Sequence, residues 1–271
     1  MPLLLRVAGL ARSTFFYHQA RVSTPDPQAD LKAAIRSVFE TNLGRYGHRR
    51  IHATLLKAGW CVAKKTVLKL LRQLGLVCRI RRKKRFNSYR GEVGTVAPNR
   101  LNRDFAAAAP NQKWVTDVTE FAVHQNKLYL SPVMDLFDRQ IIAYTVGISP
   151  TLALTNTALR HALATLRPGE APLVHSDQGF QYQHVSWRRL LEGVGSRQSM
   201  SRKGNCLDNA VIESFFGHLK DQLFCTRTFE SIEALTNAIH DYIHWFNHDR
   251  AHSTLEGLSP VQYRAQTLEA A

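Results

Sequence analysis

Residues 113–123 read KWVTDVTEFAV, and the fold turns on how that run is parsed. Its Trp, Val, Thr and Phe side chains favour the pleated, half-buried surface of a strand. Two more β-prone runs follow across short polar turns, KLYLSPVMDLF (127–137) and RQIIAYTVGIS (139–149), which predicts an antiparallel meander. TNTALRHALATL (155–166) carries helical spacing, PLVHSD (172–177) is a fourth strand, and DNAVIESFFGHLKDQL (208–223) is a helix. Three strands, a helix, a strand and then helices make an α/β layout with a mixed sheet.

Acidic residues stand at the pivotal points of this layout. Asp117 falls in the middle of the first strand beside Trp114, Val115 and Val118, where a charge is costly to bury without a counter-ion. Asp177, in HSDQGFQY (175–182), ends the fourth strand ahead of Gly179. If those two strands are parallel neighbours, both carboxylates meet at one edge of the sheet, and two like charges held together call for a cation. On the 208–223 helix, Val211, Phe215 and Leu219 lie on the apolar stripe, while Glu213, Gly217 and Lys220 share another face. Glu213 can thus offer a third carboxylate while Lys220 reaches a phosphate. His175 shares the strand face of Asp177 by alternation and is an auxiliary candidate, weighed equally against packing, and Asn209 is grouped with it. Asp135 and Asp138 read as turn or surface carboxylates flanking the second and third strands.

The chain has 271 residues, 44% of them hydrophobic, with a formal charge of +15, so it fills a core and points to a polyanionic partner. Residues 1–104 hold 22 Lys+Arg against 5 Asp+Glu, leaving 14 against 16 in the remainder. A basic front half and a near-neutral back half suggest a DNA-gripping region ahead of a domain whose carboxylates are kept for another purpose. Three amphipathic helices are read from Leu31, Ile35, Val38 and Phe39, from Ile51, Leu55 and Leu56, and from Val67, Leu68, Leu71 and Leu74, with Gly59 and Gly75 at helix ends. Arg49 and Arg50 in YGHRRI, and Arg81, Arg82, Lys83, Lys84 and Arg85 in RIRRKKRF, are candidate DNA contacts. Arg202 and Lys203, in a Gly-containing loop before the 208–223 helix, are further candidates, as is Arg250. His240, His244, His248 and His252 recur every four residues, but the segment is expected to leave the helix before the last, which favours packing over metal binding. The four cysteines form no CxxC pair, and no apolar run is long enough for an exported or membrane-anchored chain, so a reducing cytoplasm is expected.

WVTDVTEF, HSDQGFQY and SMSRKGNCLDNAVIESFFGHLK together resemble the catalytic core of bacterial insertion-sequence transposases of family three, the second-frame type, which share the retroviral-integrase superfamily fold. That signature has 35 residues between the second aspartate and the glutamate and a basic residue seven later; Asp117, Asp177, Glu213 and Lys220 match it. YGHRRIHATLLKAGWCVAKKTVLKLLRQLGLVCRIRRKKRF is similar to the helix-turn-helix associated with that family, and YIHWFNHDRAHSTLEGLSPVQY to its C-terminal segment. The resemblance implies an RNase H-like core with a mixed five-stranded sheet, preceded by an all-α DNA-binding region. It implies Mg²⁺ or Mn²⁺, two ions per site, on Asp117, Asp177 and Glu213. It also implies cleavage at transposon ends followed by 3′-hydroxyl strand transfer into target DNA, by a homo-oligomer on DNA and with an upstream-frame partner or fusion. The alternatives are a metal-dependent nuclease on the same fold and a non-catalytic DNA-binding regulator. The expected division is 1–85 basic helical region, 86–110 linker, 111–225 catalytic core, and 226–271 C-terminal helical segment and tail.

Overall fold

The computed structural model describes Leu5, Val7, Gly9 and residues 11–22, 25–78 and 95–269. Its compact units are Met1–Cys78 and Arg79–Ala271. The basic run with Arg81, Arg82, Lys83, Lys84 and Arg85 lies outside the described residues.

In the first unit, α1 (Arg12–Val22) precedes α2 (Ala29–Thr41), α3 (His48–Lys57) and α4 (Lys64–Gln73). These last three correspond to the three apolar periodicities of the sequence. Ile35 of α2, Ile51 and Leu55 of α3, and Val67, Leu70 and Leu71 of α4 are buried, so each helix turns one stripe inward. Gly59 and Gly75 follow α3 and α4 at φ +85 and +67, the left-handed conformation that ends a helix at little cost when no Cβ is present.

The second unit contains β1 (Lys113–Thr116), β2 (Thr119–Val123), β3 (Asn126–Asp135), β4 (Ile141–Gly147), α5 (Leu152–Leu163), β5 (Leu173–Ser176), α6 (Phe180–Gln183), α7 (Val185–Glu192) and β6 (Arg197–Met200). A 3-10 turn, Cys206–Asn209, leads into α8 (Ala210–Gln222), followed by α9 (Ile232–His248) and α10 (Pro260–Glu269). The strands form one mixed sheet: β3 is antiparallel to β1, β2 and β4, while β1, β5 and β6 run parallel.

The expected count of five strands becomes six, because the run 113–123 is interrupted at Asp117 and Val118. The pairing of Thr116 with Val133 resumes at Thr119 with Leu130 without a register slip, so β1 and β2 form one line along β3 with a gap in it. Asp117 therefore sits in that gap, not in the middle of a continuous strand.

Alternate residues feed two cores. Val115, Leu130 and Met134 face Ile212, Phe215, Leu235, Ile239 and Phe246 from α8 and α9. Trp114, Val133, Val174 and Met200 face Ala158, Leu159, Trp187 and Leu191 from α5 and α7. The result is a three-layer arrangement with helices on both faces of the sheet. Residues 97–103, expected in a linker, are bonded to this unit: the Arg100 and Leu101 amides donate to Ser199 Oγ at 2.9 and 3.1 Å, and Leu101 is buried. Among the described residues no helix is long and apolar enough to cross a membrane.

Candidate active site

β1 and β5 pair Lys113 with Leu173, Trp114 with Val174 and Val115 with His175, each partner numbered 60 higher. Asp117 and Asp177 keep that offset, so they emerge side by side where the two parallel strands end. Each has one oxygen fixed by a backbone N–H: Val118 donates to Asp117 Oδ1 at 2.7 Å and Gly179 to Asp177 Oδ1 at 2.9 Å. Gly179 has ordinary φ and is required for space instead, since a Cβ there would lie 2.9 Å from Asp177 Oδ1.

The two carboxylates are half-buried in area but ringed by protein. Burial pushes the Asp117 carboxyl well above the usual range, and the neighbouring Asp177 charge pushes it further, with a smaller contribution from Glu213. The Val118 amide and Lys220 pull it the other way. Burial likewise raises Asp177, opposed by the Gly179 amide. Asp177, Glu213 and Lys220 thus all act on the charge of Asp117. Glu213 lies in the first turn of α8, and Lys220 two turns on places its ammonium 5.4 Å from the centre of the Phe121 ring. An all-carboxylate set of hard oxygen donors with mutual repulsion suits a divalent cation such as Mg²⁺ or Mn²⁺. Among the described residues, however, no three His, Cys, Asp or Glu side chains are drawn into a closed ligand set.

His175 is fully buried beneath this edge. Ser199 Oγ accepts from two backbone amides, so its hydroxyl proton goes to His175 Nδ1 at 2.8 Å. The proton of the neutral ring then sits on Nε2, which donates to Ser201 Oγ at 3.1 Å. Burial lowers its pKa to about 4. His175 therefore braces β5 against β6 as a neutral group and is not an acid or base facing the substrate. Asn209 is also buried; its Nδ2 donates to the Thr116 carbonyl at 3.4 Å, joining the start of α8 to the end of β1.

The candidate DNA contacts divide. Arg49 is exposed on α3, while Arg50 is half-buried with its guanidinium 5.8 Å from the Tyr46 ring centre. Lys203 is exposed, and Arg202 is exposed but engages Asp208 through Nε and Nη2, both at 2.9 Å. Arg250 is a correction: at 2% exposure it is a packing residue, its Nη1 bonded to the His252 ring and its guanidinium over Phe246, and it cannot reach a phosphate. Asp135 and Asp138 are a second correction. They do hold the turn, accepting from the Phe137 and Gln140 amides, but both are fully buried and paired with Arg264 of α10. The histidine stripe breaks as expected: α9 ends at His248, His240 bonds Tyr144, and His252 lies buried beyond the helix.

Three features escaped the sequence reading. Lys65, Lys69 and Arg72 form an exposed basic face on α4, opposite Val67, Leu70 and Leu71; helical spacing could have found it. Tyr182, buried against Trp187, has its phenol pushed up by burial and by the charges of Asp117 and Asp177. Asp208 is buried among partners far away in sequence, and LDNA reads only as the start of a helix.

Comparison with known proteins places three matches along the chain: an HTH-like domain over residues 26–84 and integrase core domains over residues 107–206 and 213–268. The sequence is 48% identical to InsK of the insertion sequence element IS150 of Escherichia coli (strain K12), over 97% of this chain and 93% of that one. It is 34% identical to the transposase InsF for insertion sequence IS3A of the same organism, over 99% of this chain and 94% of that one. In fold it resembles a chain in the cryo-EM structure of the simian T-cell lymphotropic virus intasome in complex with PP2A regulatory subunit B56 gamma, with TM-score 0.50 and 18% identity over 85% of this chain and 74% of that one.

Proposed function

This chain belongs to the insertion-sequence transposases of the IS150 and IS3 kind, which carry an integrase core, and from that premise we propose that Asp117, Asp177 and Glu213 are the carboxylates with which it breaks and rejoins DNA. It is a DNA transposase, an enzyme of the polynucleotidyl-transferase type with an HTH-like domain ahead of its core. The observation that carries the choice of residues is the β1–β5 register, which leads to Asp117 beside Asp177, with Glu213 and Lys220 acting on the charge of Asp117.

Asp117, Asp177 and Glu213 would hold two Mg²⁺ or Mn²⁺ ions, which when bound make an attacking water or 3′-hydroxyl more acidic and stabilise the departing oxygen. The chain's own contribution is preorganisation. The Val118 and Gly179 amides fix one oxygen of each aspartate, so little reordering is needed during reaction. Lys220 supplies positive charge for a phosphate on the same side. Water first breaks a phosphorus–oxygen bond at the element's end and frees a 3′-hydroxyl. That hydroxyl then attacks a target phosphodiester, and one new ester bond forms as the target's 3′ oxygen leaves. The DNA substrates are the element's terminal repeats and a target duplex. Several copies act together on that DNA in the bacterial cytoplasm, with an upstream-frame partner or fused segment contributing to end recognition.

The test offers the purified chain its element's end duplexes and a target plasmid with Mg²⁺, then repeats the assay with Asp177→Asn. Both cleavage and joining should fall at least ~100-fold, since loss even of residues that merely support metal ligands costs about 10–100-fold. Joining that persists in the variant, or a wild type that cuts but never joins pre-cleaved 3′ ends, would overturn the reading.

A further inference from the structure

Asp208 has no part in the chemistry described above, yet it is among the most completely enclosed charges in the second unit, at 0% exposure. Its two oxygens accept from five donors: Asn99 Nδ2 at 3.0 Å, Arg103 Nε at 2.8 Å, and the Arg202 backbone N at 3.0 Å with its Nε and Nη2 at 2.9 Å. These bonds hold the Asp208 carboxyl well below the ordinary range, the Arg202 side chain contributing most. A carboxylate so satisfied is fixed in place, because moving it would strand two guanidinium groups and itself.

What it fixes is the entrance to the catalytic helix. Asp208 lies in the 3-10 turn Cys206–Asn209, directly before α8, and the next residue, Asn209, ties that turn to the Thr116 carbonyl. Thr116 adjoins Asp117, and Glu213 comes one helical turn after Asn209. Two links therefore fix the start of α8: one to the end of β1, the other to residues 99–103 and to the stretch after β6. The two arginines reach outward from the buried carboxylate, with side chains 42% and 53% exposed.

We propose that Asp208 is a positioning residue of the transposase, setting Glu213 against Asp117 by anchoring the first turn of α8 to Arg103, Arg202 and Asn99. It acts through Glu213 and touches no reacting atom. This rests on the assignment of Glu213 above. A displacement of about 1 Å at a catalytic group costs on the order of 10²-fold in rate, so a loosened helix start appears in turnover and not in DNA affinity.

The experiment compares wild type, Asp208→Asn, Arg103→Gln and Glu213→Gln in single-turnover cleavage and joining, in duplex binding without divalent ions, and in amide exchange. Asp208→Asn should lower the saturated rate on the order of 10²-fold. Its duplex Kd should stay within about threefold, and amide exchange should quicken across residues 210–213 while β5 keeps its protection. Arg103→Gln leaves the carboxylate paired with Arg202 and should show the same rate-only signature at about tenfold, which decides the matter if Asp208→Asn fails to fold. Wild-type rates in both variants, or a loss of rate matched by loss of affinity, would overturn the inference. A fully active Glu213→Gln would instead remove the assignment on which it rests.

Discussion

Asp117 and His175 show at the level of single residues how one sheet edge imposes opposite demands. Asp117 is held where its charge is unwelcome, which primes it for a cation; His175, two residues before Asp177, is held where burial disfavours its charged form. Its pKa is lowered from the ordinary 6.5 to about 4. The unfolded chain therefore takes up a proton that the folded one refuses, and stability contributed by the neutral ring is present above pH 6.5 and lost as pH falls toward 4. A His175→Gln variant forfeits the two serine bonds but escapes this acid cost. The stability gap between wild type and variant should narrow by roughly 2 kcal/mol from pH 7 to pH 5, read by urea denaturation at each pH. Parallel curves across that range would mean that His175 takes its proton inside the fold.

Among the elements, α10 brings a charge to a buried turn. Arg264 reaches Asp135 at 2.8 Å and also binds Asp138, two fully buried carboxylates at the turn between β3 and β4. Burial raises the Asp135 carboxyl to about 6, opposed by the Asn111 and Phe137 amides and, less strongly, by Arg264. Replacing it by Arg264→Met removes the ion-pair partner that α10 offers these two buried carboxylates and leaves them their backbone amides, and breaking a buried pair by removing one member costs about 3–5 kcal/mol. Denaturation at pH 7.5 should show that loss, smaller at pH 5 where Asp135 is protonated more readily. A variant as stable as wild type would show that α10 is held by apolar contacts alone. The interrupted β1–β2 line belongs to this scale too. The residue types of 113–123 correctly indicated one strand position, but the gap at Asp117, where the Val118 amide bonds the carboxylate, is not written in them.

Over the whole molecule, the positive charge of residues 1–104 is partly organised as a surface: α4 turns Lys65, Lys69 and Arg72 outward and buries its apolar stripe. Each phosphate contact removed should reduce the steepness of log K against log salt by about 0.9. Lys65→Ala with Lys69→Ala should therefore flatten the slope for a random duplex by about 2, measured by fluorescence anisotropy from low to physiological salt. An unchanged slope would place the grip elsewhere in the basic half. By itself the sequence determined this charge polarity, the three helices of the first unit, the strand runs of 113–149 and 172–177 in the second but not β6 or the order of the sheet, and the spacing of Asp117, Asp177, Glu213 and Lys220. Those features are local or periodic, so neighbouring residues report them. Only the tertiary structure decided that Arg250 is buried, that Asp135 and Asp138 serve Arg264, and that Asp208 gathers Asn99 and Arg103 from more than 100 positions away. A buried ion pair carries no periodicity of its own; its partners are brought together by the packing of the helices and strands that bear them, and the need for each charge appears only once water has been excluded.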